Sequence, residues 1–136
     1  MIEQRDLLLV PFPFSDQSGR KVRPVIVISN NEFNKDSDDI IVIGVTSNIS
    51  KDKYTLNLTN NNLDEGRLST NCCIKVENLL KLDKELIIKK IGKINKETLK
   101  NMIDKLFTMI SCQEPSDWSP GRARVLEHAQ ELFLLS

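Results

Sequence analysis

The feature that most limits what this chain can fold into is the grouping of its apolar residues. Up to residue 94 they fall into short blocks, Leu7–Val10, Val25–Ile28 and Ile40–Val45, separated by polar, turn-forming stretches. Blocks this short, rich in leucine and β-branched residues, favour strands over buried helices. After residue 94 the pattern changes once. Leu99, Met102, Ile103, Leu106, Phe107 and Ile110 recur at i, i+3, i+4, i+7, i+8 and i+11, which predicts a helix over 95–111 with one apolar stripe facing a sheet. Short strands at regular spacing followed by a single helix predict a mainly β (α+β) domain, a small, strongly bent antiparallel barrel with a C-terminal helix. No βαβ alternation and no internal repeat is present.

Asp6–Phe12 reads as a buried strand closed by Pro11 and Pro13, and Ser15–Lys21 as a loop. Arg23-Pro24 opens the next strand, where proline costs no ladder donor. Asn30–Asp39 is polar, with room for one helical turn. Ile40–Val45 is a third strand that ends at Thr46-Ser47-Asn48. Tyr54–Thr59 alternates in strand fashion, and Asn60–Asn62 reads as a loop. Ser69–Glu77 is expected as a strand containing Cys72 and Cys73, and Leu86–Ile94 as the last strand. Asn95 is a ready N-cap for the helix.

The formal net charge is zero. That argues against a bulk polyanion binder but leaves room for a small basic site. Three cysteines, two of them adjacent, with His128 as the only histidine, offer no zinc ligand set. Neighbours in a strand point to opposite faces, so Cys72 and Cys73 are poorly placed to bridge. A reduced, cytoplasmic protein follows, with no structural metal and no cofactor. No apolar run approaches the roughly 18–20 residues of a membrane span, and the charged N-terminus does not read as a signal peptide.

Composition breaks near Ser111. Residues 1–111 contain no alanine, tryptophan or histidine and carry 17 basic and 15 acidic residues, whereas residues 112–136 contain no Asn, Lys or Ile and carry 2 and 4. The chain divides on this reading into a body, 1–111, and a tail, 112–136. The tail has a helical apolar stripe (Val125, Leu126, Ala129, Leu132, Phe133, Leu135) that suits docking on the body or a partner. A recombined or frame-shifted origin explains its different bias; an ordinary C-terminal extension is the alternative.

The stretch Asp6-Leu7-Leu8-Leu9-Val10-Pro11-Phe12-Pro13-Phe14, then Lys21-Val22-Arg23-Pro24-Val25-Ile26-Val27-Ile28-Ser29, resembles the opening of MazF/PemK-type toxins, "D-I-V-x-V-x-F-P-F" and "K-x-R-P-x-V-V-x-S". Ile43-Gly44-Val45-Thr46-Ser47 is similar to that family's third strand. Cys72–Leu86 is similar to "S-x-V-x-x-x-x-L-x-T-L-D-K-x-L-I", with Cys72 and Lys81 replacing the serine and the threonine. The colinear resemblance covers about residues 3–111.

What the resemblance implies is an SH3-like barrel of the MazF/PemK/CcdB kind, usually a homodimer. It implies a toxin that cleaves single-stranded RNA without a metal. The substrate's 2′-hydroxyl attacks the phosphate, leaving a 2′,3′-cyclic phosphate and a 5′-hydroxyl, and a cognate antitoxin blocks the cleft. Arg23, Thr46 and Ser47 match the catalytic positions. A guanidinium grips phosphate oxygens in two-pronged fashion, and by family analogy Arg23 also donates a proton. Thr46 suits orienting the 2′-hydroxyl; the competing reading is a strand end bonded to local backbone. Arg20 and Lys21 are candidate phosphate contacts, Asp16 a candidate acid–base group, and Phe14 a candidate base-stacking residue. Packing is the competing role for Phe12 and Phe14. The body has no histidine, so proton transfer falls to Arg, Thr/Ser, Asp or water. Two other classes fit the same fold: a gyrase-poisoning or other protein-binding toxin, and a non-catalytic relative.

Overall fold

The structure, a computed structural model, describes residues 1–11 and 22–112. Phe12, Phe14, Asp16, Arg20 and Lys21 lie outside the described residues, as does the tail after Cys112. Seven strands are described: β1 (Asp6–Pro11), β2 (Val22–Val27), β3 (Asp39–Thr46), β4 (Thr55–Leu58), β5 (Leu63–Gly66), β6 (Cys72–Asp83) and β7 (Lys89–Ile94). A short helix α1 (Asn31–Asp36) lies between β2 and β3, and α2 (Lys96–Ile110) follows β7. The strands form one antiparallel sheet in the order β4-β6-β3-β2-β1-β7-β5. Its two end strands, β4 and β5, do not pair with each other, so the expected barrel is a half-barrel.

The unbroken apolar blocks have a direct cause. The central strands bury both faces. Leu7, Ile26 and Ile43 join Met102 of α2 in one core cluster, while Leu8, Val25 and Val42 join Leu82 in another. A strand covered on both sides has no solvent face, so its sequence does not alternate. Strand β4 has one, and alternates exposed Asn57 with buried Leu58.

Helix α2 begins as expected: the Asn95 side chain accepts from the Thr98 backbone N–H at 2.8 Å. Asn62 ties this cap to the 3-10 turn Asn60–Asn62, donating to Thr98 Oγ1 at 3.0 Å and accepting from the Thr59 N–H at 2.9 Å. The expected Asn60–Asn62 loop is therefore a capped turn. The stripe of α2 meets the sheet only in part. Leu99, Met102 and Met109 pack on the core, whereas Ile103, Phe107 and Ile110 are exposed, the last two at 69% and 67%.

Two further expectations need correction. The strand expected at Ser69–Glu77 begins at Cys72 and continues to Asp83, because its second half pairs with the first half of β3 and buries Leu82. Strand β5 was not expected. Its Asp-Glu-Gly composition suits a turn, but its backbone pairs with β7 and its charges are paired: Arg5 to Asp64 at 2.9 Å, Lys90 to Glu65 at 3.0 Å.

Candidate functional site

Arg23 is the second residue of β2. It sits opposite Val10 of β1, and two residues on, Val25 sits opposite Gly44 of β3. The β2–β3 ladder stops at that pair, and Arg23 and Thr46, the last residue of β3, each lie two residues beyond it at the same end of the sheet. Both are half-buried and both line a hollow of about 550 Å³. Thr46 Oγ1 accepts from the Asn48 N–H at 3.1 Å. The hydroxyl oxygen is thus bonded to local backbone, as at an ordinary strand end. That bond uses an oxygen lone pair and leaves the hydroxyl proton free to donate into the hollow.

The far wall of this hollow comes from an irregularity in β6. Along β3, Ile43 pairs with Leu79 and Val45 with Ile74, so the single residue Gly44 stands opposite the four residues Lys75–Asn78. The extra length arches over β3, and a Cβ on Gly44 would sit 3.3 Å from Asn78 Cβ. Bulges of this kind re-aim side chains. Here Lys75 and Glu77, two apart on one face of β6 with buried Val76 between them, both line the hollow beside Arg23 and Thr46. Sequence reasoning assigned neither a role. The signal was a polar Lys-Val-Glu-Asn interruption inside an apolar strand, which also reads as a solvent face.

Ser47 parts company with Thr46. It lines a second hollow, of about 540 Å³, which shares Arg23 and Val45 with the first. The second hollow has apolar walls from Leu9, Val22, Leu68 and Ile91, and Arg67, Ser69 and Thr70 also line it. The 12–21 segment leaves and re-enters the sheet at the paired residues Pro11 and Val22, beside Arg23.

Cys72 and Cys73 are free and buried. Burial pushes the Cys72 thiol above its usual range, with the neighbouring Cys73 adding to the shift. Both thiols donate to backbone carbonyls, Cys72 to Thr70 and Cys73 to Ser50. Among the described residues no three His, Cys, Asp or Glu side chains converge on a point that could hold a metal. Among the same residues no helix is long and apolar enough to cross a membrane.

The fold has known counterparts. The fold matches a Mycobacterium tuberculosis toxin, MazF-mt6, at a TM-score of 0.66 and 11% identity, covering 81% of this chain and 100% of that one. It matches MazF from Deinococcus radiodurans at 0.66 and 16%, covering 82% and 97%. An endoribonuclease from a mycobacterial species, solved with its cognate antitoxin, matches at 0.64 and 14%, covering 85% and 100%. Identities this low establish the fold alone. The family model for PemK-like, MazF-like toxins of type II toxin–antitoxin systems matches residues 3–110, and with most of its length inside that match the chain belongs to this toxin family.

Proposed function

We propose that the protein is an endoribonuclease that cuts single-stranded RNA at short sequences without a metal. The observation that carries this is the first hollow, where a guanidinium, a hydroxyl, a carboxylate and an ammonium (Arg23, Thr46, Glu77 and Lys75) line one space. In-line attack of a 2′-hydroxyl needs a base, a stabiliser of the crowded phosphorane and an acid. Glu77 takes the 2′-hydroxyl proton while Thr46 orients that hydroxyl. The 2′-oxygen then bonds to phosphorus, and Arg23 holds the non-bridging oxygens. The bond from phosphorus to the 5′-oxygen breaks, and the leaving oxygen takes a proton from Lys75. The products are a 2′,3′-cyclic phosphate and a 5′-hydroxyl, and solvent carries the proton from Glu77 back to Lys75. An arginine is a poor proton donor because a guanidinium keeps its charge in proteins, so this assignment relieves Arg23 of proton transfer.

Ser47 contacts the RNA from the second hollow. Arg20 and Lys21 add phosphate contacts, with Phe14 and Asp16 on the same segment. The partners are single-stranded RNA, a second copy of the chain and an antitoxin, in the cytoplasm. A solved relative is an endoribonuclease bound to its cognate antitoxin, and MazE–MazF complexes from Deinococcus radiodurans share the fold. The exposed Ile103, Phe107 and Ile110 on α2 support a protein contact such as the homodimer. Residues 112–136 form a region set apart from the toxin body by composition.

The test is incubation of the full chain with a long unstructured RNA in EDTA, beside Arg23→Ala. Discrete cuts with 5′-hydroxyl ends, lost in the variant, are expected. Intact RNA with the wild-type protein would favour a protein-binding toxin instead.

A further inference from the structure

Cleavage at short sequences requires that some surface read the bases, and on the reading above the first hollow takes the reacting phosphate. We propose that the second hollow is the base-reading pocket: it takes the nucleobase next to the cleaved phosphodiester, and Arg67 and Ser69 determine which base is accepted. This inference rests on the ribonuclease reading above.

Three observations support it. First, the two hollows share the wall made by Arg23 and Val45. A strand held with one phosphate against Arg23 therefore has its neighbouring nucleotide at the mouth of the second hollow. Second, the lining suits a base. Leu9, Val22, Leu68 and Ile91 offer apolar walls to the flat faces, and the hydroxyls of Ser47, Ser69 and Thr70 with the Arg67 guanidinium offer donors and acceptors to the edge. A volume of about 540 Å³ lies within the roughly 300–1,000 Å³ of small-ligand pockets. Third, the reading segment is built rather than loose. The Asn60 side chain clamps Leu68 from both sides, accepting from its N–H at 2.7 Å and donating to its carbonyl at 3.4 Å. Leu68 packs on the core, and the Cys72 thiol donates to the Thr70 carbonyl. Gly66 precedes Arg67 at φ +83°, where a Cβ would collide with the Ile91 carbonyl oxygen. This fixes where the segment leaves β5. Among the described residues Arg67 has no ion-pair partner, and its donors remain available to a base edge.

The experiment sequences the 5′-hydroxyl ends produced from a long unstructured RNA by the wild-type chain, Arg67→Ala and Ser69→Val. Both residues are exposed, so the variants fold. The expected result is a motif that loses its preference at one position adjacent to the cut, with cleavage at the original motif slowed about tenfold or more. An unchanged motif overturns the inference and leaves the ribonuclease reading intact. An unchanged motif with a uniform loss of rate and a shallower salt dependence identifies Arg67 as a phosphate contact, which also overturns it. No cleavage by the wild-type chain overturns both readings together.

Discussion

The two ends of the same strands treat charge in opposite ways. At the end where β1 starts and β7 stops, polar groups are paired within the protein. Asp6, 1% exposed, accepts from the Glu3 N–H at 2.8 Å and lies 3.3 Å from Lys90, which also reaches Glu65. Arg5, at φ +80°, donates to Asp64 and to the Ile94 carbonyl. At the other end, where β1 stops and β3 ends, Arg23, Glu77, Lys75 and Arg67 line hollows, and among the described residues Glu77, Lys75 and Arg67 form no ion pair. The comparison separates two uses of a charged residue. Charges satisfied inside the fold hold the edge strand β5 in place, while Glu77, Lys75 and Arg67, directed at a cavity and without an ion pair among the described residues, are available to a ligand.

Mutations can break this contrast. The largest effect belongs to Arg23→Ala: cleavage falls at least 10²–10³-fold, the cost of removing one preorganised oxyanion donor, while the thermal midpoint stays near wild type. A large drop in the midpoint would assign Arg23 to the scaffold. Glu77→Gln follows, with a loss of about 10²-fold, in the range for a general base. Cleavage by Glu77→Gln at the wild-type rate would place the base elsewhere.

Asp6→Ala tests the opposite end. Removing a buried carboxylate strips the Glu3 N–H of its acceptor and Lys90 of one of its two carboxylates, and costs about 2 kcal/mol of stability by denaturant unfolding. The rate per folded molecule is unchanged. Lost activity in a folded Asp6→Ala protein would erase the distinction between the two ends. The smallest effect is the pH response of the β5 clamp. The hydrogen bond from Lys90 holds Glu65 below the ordinary carboxylate range, and Glu65 in turn raises Lys90. A lowered carboxylate stabilises the fold above its unfolded value, and that gain is lost as pH falls through the folded one. The midpoint difference between wild type and Glu65→Gln therefore shrinks to nothing in acid. A difference that survives there would show that charge is not what Glu65 contributes.

What was legible in the sequence follows the same division. The blocks of β1, β2 and β3 and the Asn95 cap of α2 were readable because each depends on neighbours within a few positions. Strand β5 was not, because Leu63-Asp64-Glu65-Gly66 is held by a ladder to β7 and by ion pairs to Arg5 and Lys90, residues distant in the chain. Half of the α2 stripe was misread for a related reason: periodicity marks an apolar face but not how much of it the sheet covers. In the site, Arg23 and Thr46 stood out through their motif. Glu77 and Lys75 did not, since their approach to Arg23 comes from a mismatch of four residues against one in the β3–β6 pairing, which no local pattern encodes.

The alternation at the end of β3 bears on how such a chain can change over generations. Val45, Thr46 and Ser47 form a partition between two chambers, with Thr46 facing one and Ser47 the other. Point substitutions on either side of the partition can be sampled one chamber at a time. Deletion of one residue from Ile40–Val45 would flip the whole row, exchange the two hydroxyls and turn the buried faces outward. If the second chamber reads the base, as proposed, substitutions around it change which RNA is cut, whereas single-residue length changes in the strand between the chambers are closed to such a lineage.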